Sequence, residues 1–388
     1  MTGAAGSCEA AAGARGAAPL DDVHRCAAAL AALGASPSTV RRLLSGTDAC
    51  EAWRLVRSGR HPADPAGRLR AAARPGLPDD MGDRCAMTGT AVLLPGEPGY
   101  PPVLAADPEA PAVLFVTGAG APVASTPGDD SPRIAVVGTR APSSAGVRVA
   151  RAMGAGLAAA GVSVVSGLAR GIDAAAHDGA LQPGGAPPVG VLGAAADAPL
   201  APVDARRRAS VASAGVLLSE VAPGTASRRW MFAVRNRIMA ALSQAVVVVE
   251  SHATGGSLHT VRAAVRRGVP VCAVPGSVTS PASAGTNALL VGGVARAVRD
   301  AGDVLAAVVP GHRLPGLQAR RPGAGAMDAR SRAVLGALGG EPASLDRVAL
   351  GAGLGLGEAA AVLERLADAG LASCEHGWWT GSARRPPR

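Results

Sequence analysis

The chain has no lysine; all 38 of its basic residues are arginines. A P-loop places a lysine on the β- and γ-phosphates, and Schiff-base enzymes need a lysine amine, so both classes are excluded. Aromatic side chains are almost as scarce: four tryptophans, two phenylalanines and one tyrosine among 388 residues. Isoleucine occurs only at Ile134, Ile172 and Ile238. Six cysteines (Cys8, Cys26, Cys50, Cys85, Cys272, Cys374) lie scattered, with no C-x-x-C and no Cys/His cluster. Neither a metal site nor a disulfide framework is indicated, and a reducing compartment fits. No apolar run reaches the roughly 18 residues a membrane span requires, and residues 1–19 lack a basic start followed by an apolar core. The expectation is a cytoplasmic protein with no membrane segment, no metal and no cofactor.

Arginine, alanine and glycine are abundant. The formal charge is +9 and the pI about 10.6, which suits a polyanionic partner. A lysine-free, arginine-biased composition raises the pI by itself, so the evidence has to come from where the arginines fall. Residues 1–19 lack helical periodicity and read as a disordered tail. Over 20–60 apolar residues recur at helical spacing (Val23, Cys26, Leu30, Leu33; Val40, Leu43, Leu44; Trp53, Val56), predicting a small helical domain. Residues 61–90, rich in Pro, Gly, Arg and Asp, read as a linker.

From 91 to 310 short aliphatic runs without alternation mark strands buried on both faces: Ile134–Val137, Val162–Val165, Val189–Leu192, Val216–Leu218, Val246–Val249 and Val269–Val274. Helical stretches lie between most of them (Val147–Ala160, Ile172–Leu181, Asn236–Leu242, Leu258–Arg267). The pattern predicts an α/β fold with a doubly wound parallel sheet of extended Rossmann-like type, which binds ligands at the carboxyl ends of its strands. A second linker at 311–327 leads to a tail, 328–381, whose three helices and two strands predict a winged helix.

Four strand-end features line that rim. In Gly138-Thr139-Arg140 the chain leaves a buried strand for a helix, where backbone N–H groups attract anions and Arg140 adds a fork for phosphate. The spacing is not G-x-G-x-x-G, and the next strand ends in Ser166-Gly167 where a dinucleotide site wants an acid. His177, further along that helix, reads as a structural histidine at the helix surface. Arg228-Arg229-Trp230-Met231-Phe232-Ala233-Val234-Arg235-Asn236-Arg237 interleaves four arginines with two of the few rings, supplying charge for phosphates and faces for bases, as a single-strand site requires. Gly255-Gly256-Ser257 opens a helix, and Val274-Pro275-Gly276 is followed by Gly285-Thr286-Asn287. The nearby acids, Asp173, Glu220 and Glu250, have no evident His or Cys partner.

These residues resemble the DprA/Smf family of DNA-processing proteins. The resemblance runs through Ile134–Arg140, Val164–Asp173 with Ala176-His177, Leu218–Glu220, Phe232 with Arg235–Ile238, Gly256–Leu258 with Thr260, and Ala273–Gly276 with Gly285–Leu289, joined upstream by Tyr100-Pro101 and Pro111–Phe115. It covers roughly residues 95–310, and the family's frequent ends, a small helical (SAM-like) domain and a winged helix, fit the flanks. It implies a non-catalytic, homodimeric protein that protects single-stranded DNA and loads a RecA-type recombinase in natural transformation, with a single-strand-binding protein as a further candidate partner. Carried onto this sequence, it gives DNA-binding roles to Gly138, Thr139, Arg140, Ser166, Gly167, Arg229, Phe232, Arg235, Asn236, Arg237, Gly256, Ser257 and Asn287. Arg140→Ala and Arg235→Ala are each expected to weaken binding without unfolding the domain. Departures lie at Ala194–Arg208, where a Tyr-Pro segment with an asparagine is usual, at Gly255 in place of a serine, at His259 in place of an aliphatic residue, and at Ala233 in place of a proline.

The chief alternative is an enzyme of the Rossmann-like nucleotide phosphoribohydrolase group, which shares a Gly-Gly loop with a threonine at a helix start. That group wants a glutamate soon after the threonine, and Thr260 is followed by Val261-Arg262-Ala263-Ala264. A winged-helix transcription factor is a third reading. Against it stands the acidic balance of the tail's last helix, where Glu358, Glu364 and Asp368 face Arg365 alone and duplex phosphates would be repelled.

Overall fold

Helix signals at the N-terminal end are local and explicit. In the computed structural model, Asp21 caps α1 (Asp22–Ala32), Ser36 caps α2 (Pro37–Leu44) and Asp48 caps α3 (Ala49–Ser58), each side chain accepting from backbone N–H groups of the first turn. The structure describes residues 19–119, 132–308, 328–338, 342–368, 371–375 and 377–381. The expected linker at 311–327, and the expected tail at 1–19 apart from Pro19, lie outside these. The chain divides into two compact units, Met1–Arg313 and Leu314–Arg388.

The expected linker at 61–90 is corrected by the structure. Its first half is a run of turns, but Leu77–Met87 forms α4 and Thr90 begins β1 (Thr90–Leu93). Met81 and Cys85 of α4 are buried among Leu30, Trp53 and Val56 of the preceding helices, in one cluster with Val113 and Phe115. After the single turn α5 (Pro102–Ala105), strand β2 (Leu114–Thr117) distributes its side chains alternately: Leu114 and Val116 join the main core and Phe115 joins the helical cluster. The first helices therefore share a core with the sheet instead of hanging from it on a tether.

The aliphatic runs become β3 (Arg133–Val137), β4 (Ser163–Ser166), β5 (Val189–Leu192), β6 (Val216–Ser219), β7 (Ala245–Val248) and β8 (Val271–Ala273), nearly every residue of which is buried. Between them run α6 (Ser144–Ala159), α7 (Ile172–Ala180), α8 (Pro202–Ala214), α9 (Arg229–Leu242) and α10 (Leu258–Arg266). After β8 come α11 (Ala284–Val291), β9 (Arg296–Ala297) and α12 (Ala301–Val308). The nine-stranded sheet has the order β1-β2-β6-β5-β4-β3-β7-β8-β9. It is parallel from β6 to β9, while β1 and β2 are antiparallel additions, so the sheet is mixed at one end. Strand order reverses between β3 and β7, because β4 to β6 lie on one side of that pair and β8 and β9 on the other. Loops leaving β3 and β7 diverge there, and a crevice opens at their carboxyl ends.

Two elements lie beyond what periodicity predicts. α8 falls where no helical stretch is expected from the sequence; it buries only Val211, so no apolar stripe announces it. α9 begins seven residues before the expected Asn236. In the second unit, α13 (Ala329–Leu338), β10 (Ala343–Ser344), α14 (Leu345–Ala352), α15 (Leu356–Asp368), β11 (Ala372–Glu375) and β12 (Trp378–Gly381) surround a small apolar core that includes Val334, Val348 and Leu363. Its sheet order is β10-β12-β11.

A candidate nucleic-acid interface at the strand ends

At the switch point lies a cleft of ≈ 450 Å³ bounded by the loop after β3, the start of α7, one face of α9 and the loop into α10. Nine of the thirteen residues singled out from sequence line it: Gly138, Thr139, Arg140, Arg229, Phe232, Arg235, Asn236, Gly256 and Ser257. The Arg140 guanidinium stands 5.6 Å from the centre of the Phe232 ring. Phe232 is itself fixed from behind, since a Cβ at Gly193 would lie 2.7 Å from its Cα. Arg140, Arg228 and Arg229 are exposed, and among the described residues none has a carboxylate at salt-bridge distance.

The other two arginines of the cluster do different work. Arg235 is 5% exposed; its guanidinium donates to the Val191 carbonyl and, through Nε, to Asn236 Oδ1 at 3.3 Å. It packs against Gly167, where any side chain would collide with it. Burial brings its pKa down to about 10, against the upward pull of Asp173 and with a further downward push from Arg140. Arg235 thus forms the floor of the cleft. Arg237 lies off the cleft, where it donates to Glu220 Oε1 at 2.7 Å inside the protein. Burial pushes the Glu220 carboxyl up, against the opposing pull of that guanidinium.

Three more residues stand apart from the cleft. Ser166 donates to the Val136 carbonyl at 2.6 Å, tying β4 to β3, and Gly167 makes room for Arg235. Asn287 clips the loop after β8, accepting from Gly276 N at 3.2 Å and donating to Gly276 O at 3.1 Å.

Sequence reasoning named the acids of this rim but not the groups they hold. Glu250 accepts from Ser143 N at 2.9 Å and Ser143 Oγ at 2.5 Å, at the N-terminus of α6. Asp173 accepts from Gly167 N at 3.1 Å, and the Gly138 and Ala169 amides also hold its charge. Burial nevertheless raises the Asp173 pKa overall. The backbone donors that made the Gly-Thr-Arg loop look like an anion cradle are therefore answered from within the protein, Gly138 by the Asp173 carboxylate, Thr139 by the Glu250 carbonyl and Ala141 by the Thr139 hydroxyl, and Arg140 is the part of that loop that faces the cleft. His177, expected at a helix surface, is wholly buried. Neither ring nitrogen makes a hydrogen bond of normal geometry among the described residues; burial brings its pKa down to about 4, against a smaller upward pull from the Ser166 backbone.

Residues 91–309 match the model of the family described as DNA recombination-mediator protein A. The chain belongs to that family. A protein of Mycobacterium tuberculosis named for DNA processing, DprA, is 39% identical over 294 residues, spanning 70% of this chain and 75% of its own. The DNA processing protein DprA of Streptococcus pneumoniae is 39% identical over 175 residues, 45% of this chain and 61% of that one. The crystal structure of the Streptococcus pneumoniae protein superposes with a TM-score of 0.57 at 27% identity, covering 73% of this chain and 97% of that chain. Among the described residues no His, Cys, Asp or Glu group is arranged to hold a metal, and no helix is long and apolar enough to cross a membrane.

Proposed function

We propose that the cleft binds single-stranded DNA without reacting with it. The observation that carries this is the pairing of Arg140 with Phe232 at the mouth of the cleft, beside Arg229, which has no carboxylate partner among the described residues. A ring half open to solvent offers a face to a base, and unpaired guanidiniums attract phosphates; a duplex conceals its base faces, so only a single strand uses both. The acids at the rim, Asp173 and Glu250, are committed to backbone groups and to Ser143, which supports binding over chemistry.

Membership of a recombination-mediator family supports extending the reading to protection of incoming single strands and delivery to a RecA-type recombinase, by a homodimer that also meets a single-strand-binding protein. The C-terminal unit reads as a winged helix on its element order: helix, short strand, two helices, two paired strands. Electrophoretic mobility shifts with a single strand and its duplex, across a salt series, test the central claim. The single strand should bind more tightly, and its affinity should fall as salt rises. Equal duplex binding at every salt concentration would sink the proposal.

A further inference from the structure

Two helix starts at this rim, those of α9 and α10, have neither a side-chain cap nor an acid in the first turn, and that of α10 also carries buried donors. The N-terminus of α6 is answered by Glu250 and the loop amides before α7 by Asp173. At α10 the situation differs. Ser257 does not cap the helix, because its hydroxyl donates to Ser251 Oγ at 2.9 Å, and the first turn contains no acid. The Leu258, His259 and Thr260 amides bond the carbonyls of Gly255, Gly256 and Ser257 at 3.1, 3.2 and 3.0 Å. The Gly256 and Ser257 amides are left without a partner among the described residues.

A second observation comes from a side chain. Thr260 lines the cleft, is 1% exposed, and its hydroxyl has no hydrogen-bond partner among the described residues. A helical threonine ordinarily bonds the carbonyl four residues back. Here that carbonyl, Gly256 O, already accepts from His259 N and from Asn236 Nδ2 at 3.4 Å. A buried hydroxyl left unmet is destabilising unless something else meets it.

We propose that this end of the cleft is a receptor for a terminal phosphate monoester, borne by the end of a DNA strand or by a free nucleotide. The Gly256 and Ser257 amides, the Thr260 hydroxyl and the Arg140 guanidinium are its donors. A diester within a strand has two free oxygens and two chain attachments, whereas a monoester has three free oxygens, more charge and one attachment. Two amides and a recessed hydroxyl in one turn, with Arg140 lining the same cleft, match the second shape. The inference deepens the single-strand reading and rests on it for the source of the group.

The test is competition against a fluorescently labelled single strand, using the full chain. Competitors are one short oligonucleotide bearing a 5′-phosphate, a 3′-phosphate or neither, and thymidine with and without its 5′-phosphate. At least one phosphorylated form should compete about fivefold or more better than its phosphate-free counterpart, in keeping with charge-assisted bonds at a helix start. The strand pair and the nucleoside pair distinguish a strand end from a free nucleotide. Thr260→Val, which removes the hydroxyl, should reduce that ratio toward one. Equal potency, within twofold, in every wild-type pair overturns the proposal even if the variant cannot be made. Failure of the labelled strand to bind at all instead rejects the single-strand reading; calorimetry with thymidine monophosphate then decides the phosphate site by itself, heat of binding supporting it and none overturning it.

Discussion

Four arginines of the cleft region form two contrasting pairs. Arg140 and Arg229 are exposed and lack carboxylate partners among the described residues, while Arg235 and Arg237, three and five residues beyond Phe232 on α9, are buried and hydrogen-bonded within the protein. For the three on α9, position on the helix decides which is which: in its first turns only Met231 is buried, whereas every residue from Arg235 to Leu242 is. A guanidinium at the free end is open to a ligand; the same group two turns later is bonded inside the protein. An arginine cluster in a sequence is thus not one surface, and its charge cannot be credited wholesale to nucleic acid.

The contrast is broken or sharpened most strongly at Arg237. Removing it leaves Glu220 buried without its partner, and Arg237→Ala should cost about 3–5 kcal/mol in urea unfolding. Replacing both members with apolar residues, Arg237→Met with Glu220→Leu, should recover most of that loss. A single variant as stable as wild type would return Arg237 to the surface pair. Arg235→Ala comes next. The sequence suggested a loss of binding with the domain intact, but removing a buried guanidinium strands the Val191 carbonyl and removes the nearby counter-charge of Asp173. We expect a loss of about 2–3 kcal/mol in stability, so its binding has to be measured per folded molecule.

These corrections show where sequence stops being informative. The sheet was legible because strands covered on both faces consist of aliphatic runs, as Ile134–Val137 and Val246–Val249 do. α4 was not, because Pro78, Asp79, Asp80 and Gly82 look like linker composition; the helix persists because Met81 and Cys85 are buried and Gly82 leaves room for Arg25. Within the site, the cleft-lining residues Arg140 and Phe232 were legible from residue type. The direction in which Arg235 and Arg237 point was not, since no apolar stripe tells one side of a helix buried all round from another. Nor could spacing reveal that Glu250, more than a hundred residues from Ser143, closes the N-terminus of α6.

His177 extends the buried side of the comparison to pH. Its folded-state pKa is about 4, below the unfolded value of 6.5. Above pH 6.5 both states are neutral there and the residue adds no pH dependence. As pH falls below that value the unfolded chain takes up a proton that the folded chain refuses until about pH 4. Stability should therefore drop across this window, by up to about 3 kcal/mol. His177→Gln should flatten that part of a stability-versus-pH curve, and an unchanged slope would show that other groups cause it.

The smallest effect in free energy is the most diagnostic for function. Arg140 stacks on Phe232 and bonds no other described group, so Arg140→Ala should leave the melting temperature unchanged. Its effect should fall on the ligand: about 1–2 kcal/mol of single-strand affinity, roughly a five- to thirtyfold rise in Kd. Losing one phosphate contact should also reduce the salt dependence of log K by about 0.7. Arg140→Lys separates the two contributions, because lysine retains the charge but not the planar group that stacks on a ring. Its salt slope should match wild type while its affinity falls between wild type and alanine. If the alanine variant instead unfolds and leaves binding per folded molecule untouched, Arg140 belongs with Arg235, and the division of these arginines into ligand-facing and scaffold pairs fails.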